Sequence, residues 1–162
     1  MTTMGTRRRA REFALQILYW LDVMGPSDPG SGSGHIQLSD DQAFALFWRN
    51  FAAHAEVEGA PTLEINDAQP FAEKLVRGVR QHLGALDAQI QSASRNWRLE
   101  RMARVDRNLL RLALYELKYA DDVPVKVAIN EAIEIAKRFG TSESSAFVNG
   151  ILDRCREELG KK

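Results

Sequence analysis

Apolar residues return every three to four positions along most of this chain, and no stretch shows the two-residue alternation of a half-buried strand. That period predicts an all-α fold of about seven helices. The first covers about residues 7–24. At about 100° per residue, Ala10, Phe13, Ala14, Ile17, Trp20, Leu21 and Met24 fall in one arc, which marks a core face. Ser39 and Gln42 have the spacing of a reciprocal N-terminal cap and open a second helix, with the stripe Phe44, Phe47, Trp48, Phe51 and Ala55. A third helical region starts near Gln69. It carries Phe71, Leu75, Val79, Leu83, Leu86 and Ile90 along one face, and Gly84 is the expected break. A helix over 104–119 follows. Pro124 suits a first helical position and opens a helix with Val125, Ile129, Ile133 and Ala136, closed by Gly140 as C-terminal cap. The last helix begins after Thr141 or Ser142 and carries Phe147, Val148, Ile151, Leu152, Cys155 and Leu159. Residues 25–34 (GPSDPGSGSG) read as a flexible connector, and 59–67 as a second loop.

The first helix has a second face. Arg8, Glu12, Gln16 and Tyr19 fall opposite the core arc, with Arg11 at its flank. Tyr19 is therefore an aromatic that the pattern does not bury. A tyrosine beside arginines can stack on an unpaired base while guanidinium groups hold phosphates. Arginine suits this through its forked donors and planar stacking face. Cations at a helix N-terminus oppose the macrodipole, so Arg7, Arg8, Arg9 and Arg11 carry a small local cost. Nucleic-acid binding and a merely solvated helix start both fit these residues.

Charge sharpens this picture. The formal net charge is zero, but residues 7–11 hold four arginines and no acid, whereas 22–73 hold nine acids and only Arg49 as a base. Residues 95–111 then hold six arginines against Glu100 and Asp106. Local basic segments can meet a polyanion while acidic ones face elsewhere. On the 104–119 helix, Arg104, Arg107, Arg111 and Lys118 share one stripe, which reads as a solvated or salt-bridged face. Glu116 falls in the middle of the apolar arc. A buried carboxylate must be paired, hydrogen-bonded or protonated, and an internal ion pair or cap is expected there before a general acid.

No catalytic arrangement emerges. His35, His54 and His82 lack metal-ligand spacing with each other or with Cys155. The glycine-rich connector lacks the Lys-Ser/Thr ending of a phosphate loop. Glu134 is placed to pair with Arg138, and Cys155 lies in a core stripe. No cofactor or metal is expected, and the chain is read as a binding protein rather than an enzyme. One cysteine closes no internal disulfide, which fits a reducing cytoplasm. No apolar run approaches the roughly 20 residues of a membrane span, and the basic N-terminus lacks the apolar stretch of a signal peptide.

Several segments, in order, resemble the bacterial transcription antitermination family NusB. They are Arg7 to Glu12 with Gln16 and Leu18-Tyr19; Asp106-Arg107 with Leu109 to Leu117; Asp122 to Pro124 with Lys126 to Glu134, Ala136-Lys137 and Phe139-Gly140; and Phe147 to Asp153. The resemblance implies two helical subdomains, about 1–80 and 81–162. It implies binding of a boxA-type single-stranded RNA together with NusE, a ribosomal protein, in a complex that modifies RNA polymerase, notably on ribosomal RNA operons. It carries RNA contact onto Arg7, Arg8, Arg9, Arg11, Gln16, Tyr19, Lys126 and Phe147. It carries contact with the protein partner onto Glu100, Asp106 and Glu143. It also admits a homodimer, because some members self-associate through the RNA surface. A similar helical domain precedes the catalytic domain of some ribosomal RNA cytosine methyltransferases, but no Rossmann-like segment for a methyl donor is read here. The segments 25–34 and 59–67 look longer than the family's pattern, and Thr141 to Ser145 departs from its commoner form.

Overall fold

A computed structural model describes the backbone of residues 4–24, 38–58 and 62–161, with side chains over 5–24, 38–51 and 66–161. Among the described residues there are seven α-helices, one short 3₁₀ turn and no strand. In chain order they are α1 (Met4–Met24), α2 (Asp40–Glu58), α3 (Thr62–Gln81), α4 (Leu83–Ala93), a 3₁₀ turn (Leu99–Arg101), α5 (Arg104–Tyr119), α6 (Val125–Phe139) and α7 (Ser144–Glu158). The expected connector over 25–34 lies outside the described residues, as do His35 and the side chains of His54 and Ala55. The chain divides into two compact units, Met1–Arg77 and Gly78–Lys162.

In the first unit, α1 and α2 pack through an aromatic cluster. Phe13 is fully buried with Ala10, Ala68 and Ala72, and Phe47, Trp48, Phe51 and Phe71 close around them. Phe13 meets the Trp48 ring edge-on at 5.2 Å and the Phe51 ring at 5.0 Å, the geometry that ring quadrupoles favour. The cap that opens α2 is reciprocal: Ser39 N–H donates to Gln42 Oε1 (2.9 Å) and Gln42 N–H donates to Ser39 Oγ (3.2 Å). The indole N–H of Trp48 donates to Glu73 Oε1 at 3.0 Å, tying α2 to α3.

Several boundaries differ from the sequence pattern. Residues 62–67 are helical rather than loop. Asn66 and Asp67 are exposed, and Pro70 lies inside the helix. Its missing N–H costs one intrahelical bond, which the buried stripe Ala68, Ala72, Leu75 and Val79 outweighs. The break after α3 falls at His82, not Gly84, and Leu83 is exposed rather than in the stripe. The His82 ring stacks on Tyr119 at 4.0 Å. Pro124 sits one position outside α6, in extended conformation. Glu134 pairs with Lys137 at 3.2 Å.

The second unit is built around α5, which packs against α4, α6 and α7. Nine of its 16 residues are buried, more than its apolar positions alone supply, while Arg104, Arg107, Arg111 and Lys118 keep a partly exposed stripe. Polar residues on it are held by internal bonds: Asn108 donates to the Arg104 carbonyl at 2.8 Å, and Arg111 grips Asp87 through two bonds of 2.7 and 2.9 Å. The salt-bridged reading of the arginine stripe holds at Arg111. Glu116 is buried as its phase required, and it is not without a partner.

Gly140 closes α6 for a steric reason. Its backbone is extended (φ −95°), not left-handed. A Cβ there would collide with the Ser144 side chain and stand 2.8 Å from the Ala136 carbonyl oxygen. The Ser144 hydroxyl accepts the Thr141 N–H at 2.9 Å, so the turn from α6 into α7 closes on this glycine. Gly140→Ala should lower stability by about 1–3 kcal/mol through overpacking, measured by thermal unfolding. An unchanged melting temperature would show that the turn has slack.

Candidate nucleic-acid interface

The head of α1 has no acid in its first turn, yet it carries four arginines. The structure shows how the fold holds them. The Arg7 guanidinium lies over the Phe71 ring at 5.0 Å, and that of Arg11 lies over the same ring at 5.6 Å. The Arg9 guanidinium lies over Phe13 at 4.6 Å and pairs with Glu12 at 3.1 Å. Planar cations gain attraction from ring faces, which offsets their repulsion from each other and from the helix dipole. Arg7, Arg8 and Arg9 remain half-exposed. Arg11 differs from its expected flank position: it is 4% exposed, and Glu12, expected on the outer face, is also buried. Leu15 and Leu18 are buried too, so α1 buries a wider arc than its stripe indicated.

Tyr19 is 40% exposed. It lies eleven residues after Arg8, which on a helix is about 16 Å along the axis and within about 20° in phase. Gln16 is half-buried nearby on the helix. The first unit therefore brings Arg7, Arg8, Arg9, Gln16 and Tyr19 onto one helix and sets Arg11 beneath its surface.

The remaining candidates belong to the second unit. Lys126 is exposed in the first turn of α6. Phe147 is half-buried on α7, one turn after the exposed Glu143, and its N–H donates to the Glu143 carbonyl at 3.1 Å. Its ring meets Trp97 edge-on at 6.2 Å. Trp97 is 57% exposed, and the sequence reading passed over it. The available signal was an aromatic set between Arg95 and Arg98. Glu100 is exposed in the 3₁₀ turn. Asp106, in the first turn of α5, is buried, and its Oδ1 has no hydrogen-bond partner among the described residues.

No group of three metal-ligating side chains occurs among the described residues, and no described helix is long and apolar enough to cross a membrane. Cys155 is buried in the core, and burial pushes its thiol up to about 11.

The NusB family model matches residues 8–157. A relative from Myxococcus xanthus, "Transcription antitermination protein NusB", is 45% identical over 98% of this chain and 99% of its own. The fold is similar to that of T. maritima NusB, with a TM-score of 0.69, 34% identity, and coverage of 98% and 94% of the two chains. It is also similar to a chain in a crystal structure of antitermination factors NusB and NusE in complex with dsRNA. There the TM-score is 0.70, with 23% identity and coverage of 96% and 99%.

Cys155 gives a pH test. Its folded pKa stands above its unfolded value, so its contribution to stability is complete below about 9 and is lost as pH rises toward about 11. Cys155→Ala, with its cavity cost subtracted at neutral pH, should lose less stability than the parent across that window. Identical pH curves for the two proteins would contradict the burial argument.

Proposed function

Because the chain belongs to the NusB family of transcription antitermination proteins, we propose that it binds a boxA-type single-stranded RNA jointly with the ribosomal protein NusE, within the complex that modifies RNA polymerase on ribosomal RNA operons. The observation that carries this reading is the half-exposed set Arg7, Arg8 and Arg9, with the guanidinium groups of Arg7 and Arg9 lying over aromatic rings. Guanidinium groups fixed in this way reach phosphates with little further loss of side-chain freedom. Arg7, Arg8 and Arg9 hold the phosphates, and Arg11 acts from below by fixing the Phe71 ring. Tyr19 stacks on a base, with Gln16 beside it. On the second unit, Lys126 and Phe147 make RNA contacts of their own.

The protein partner meets Glu100, Asp106 and Glu143. Asp106 supports this assignment because its buried, unsatisfied oxygen offers a strong acceptor to an incoming donor. The neighbour solved with NusE and dsRNA supports NusE and an RNA as partners. A homodimer formed through the RNA face would compete with RNA, so self-association should fall as RNA is added.

Titration of a boxA-like RNA, with and without NusE, at several salt concentrations tests the assignment. Replacing Arg7, Arg8 and Arg9 together by alanine should flatten the salt slope by up to about 2, at roughly 0.7 per phosphate contact on a single strand. An unchanged slope and affinity would refute the α1 contact. Tyr19→Ala should weaken binding by about 1–3 kcal/mol with the slope nearly intact. A change of slope without loss of affinity would rule out stacking.

A further inference from the structure

The connection between α4 and α5 is a second basic segment that the α1 interface leaves unused. Arg95, Arg98, Arg101 and Arg104 are all exposed there, against a single exposed acid, Glu100. Trp97 stands between the first two and is the most exposed large apolar side chain among the described residues. It is not on a loose loop. The Trp97 N–H donates to the Ser94 carbonyl at 3.3 Å, and its own carbonyl accepts Gln91 Nε2 (2.9 Å) and Ser94 Oγ (3.2 Å). Gln91 Oε1 then accepts the Leu99 N–H at 2.8 Å, so one side chain clamps both sides of the segment.

Beside the Trp97 and Phe147 rings lies an open pocket of about 200 Å³, also lined by Arg95, Gly150 and Arg154. Arg154 is fixed at its wall by donating to the Ala93 carbonyl at 3.0 Å. The pocket is smaller than the roughly 300–1,000 Å³ of drug-sized ligand sites, so it suits a single flat ring. An exposed indole held in place, a second ring set edge-on to it, and arginines on the rim form a stacking platform in a positive field. That is the chemistry of an unpaired base with its flanking phosphates. An apolar peptide would leave the surrounding positive charge unanswered.

We infer that the α4–α5 connection is a second RNA contact, in which the Trp97–Phe147 pocket receives one unpaired base while Arg95 and Arg98 hold the phosphates beside it. The inference rests on the RNA-binding reading and adds Trp97, Arg95, Arg98 and Arg154 to the residues assigned there. Gly150 provides a probe that touches none of them: a Cβ added at this position meets open space, and a larger side chain enters the pocket.

The test uses the full chain and a single-stranded boxA-like oligonucleotide, with and without NusE. RNA should quench indole emission in the parent protein. Trp97→Phe keeps a stacking ring, so it should bind within about threefold while losing most of that quench. Trp97→Ala should bind about 5- to 100-fold more weakly. Gly150→Leu should weaken binding comparably with an unchanged or higher melting temperature, because leucine favours an exposed helix over glycine. Parent-like binding by both Trp97→Ala and Gly150→Leu would overturn this inference alone. Failure of the parent protein to bind the RNA at all would overturn it together with the α1 reading. A loss seen only when NusE is present would make the pocket a protein contact and would also overturn it.

Discussion

The ring faces beneath the arginines of α1 are the constraint on which the proposed interface depends. Four guanidinium groups within five residues repel one another and face the unfavourable end of a helix dipole. The chain meets this by placing Phe71 under Arg7 and Arg11, and Phe13 with Glu12 under Arg9. Phe13 is also the centre of the packing between α1 and α2. The residues that build the core of the first unit thus also aim its cations. The proposed RNA contact and folding draw on the same rings, so a core substitution at Phe13 or Phe71 is expected to disturb both.

The second unit follows a different logic. Its central helix α5 packs against α4, α6 and α7, and Asn108 and Arg111 on it are held by internal bonds, the latter to Asp87. The residues proposed to meet RNA or protein lie at the edges: the segment before α5, and the first turns of α6 and α7. Asp106 sits at the margin between these regimes, buried but with one oxygen unsatisfied. That is the state expected of an acceptor that a partner completes.

Much of this fold was legible in the sequence. The reciprocal Ser39–Gln42 cap, the bounds of α5 and the burial of Cys155 follow from local spacing and helical phase. The misses have physical causes. Residues 62–67 carry polar side chains that read as a loop, yet α3 runs through them because the Ala68–Ala72 face is buried. Gly140 caps α6 as its position indicated, but the Ser144 side chain that decides its identity is brought there only by the folded turn. Phase also placed Glu12 on the outer face, because a stripe of apolar residues cannot show a polar side chain buried by pairing with Arg9. At the candidate site, the arginine cluster and the unburied Tyr19 were visible from composition and phase. Arg11's place under the surface was not, and Trp97 needed the neighbouring helix to bring Phe147 beside it.

The central claim is that ring-supported arginines on α1 form an RNA-binding surface. Nuclear magnetic resonance of the arginine side-chain Nε–H groups, recorded as a boxA-like RNA is added in the presence of NusE, tests it most directly. The account predicts that the Arg7, Arg8 and Arg9 signals shift and slow their exchange with water, while the Arg111 signal, locked to Asp87, stays in place. RNA binding that leaves the three α1 signals unmoved would contradict it.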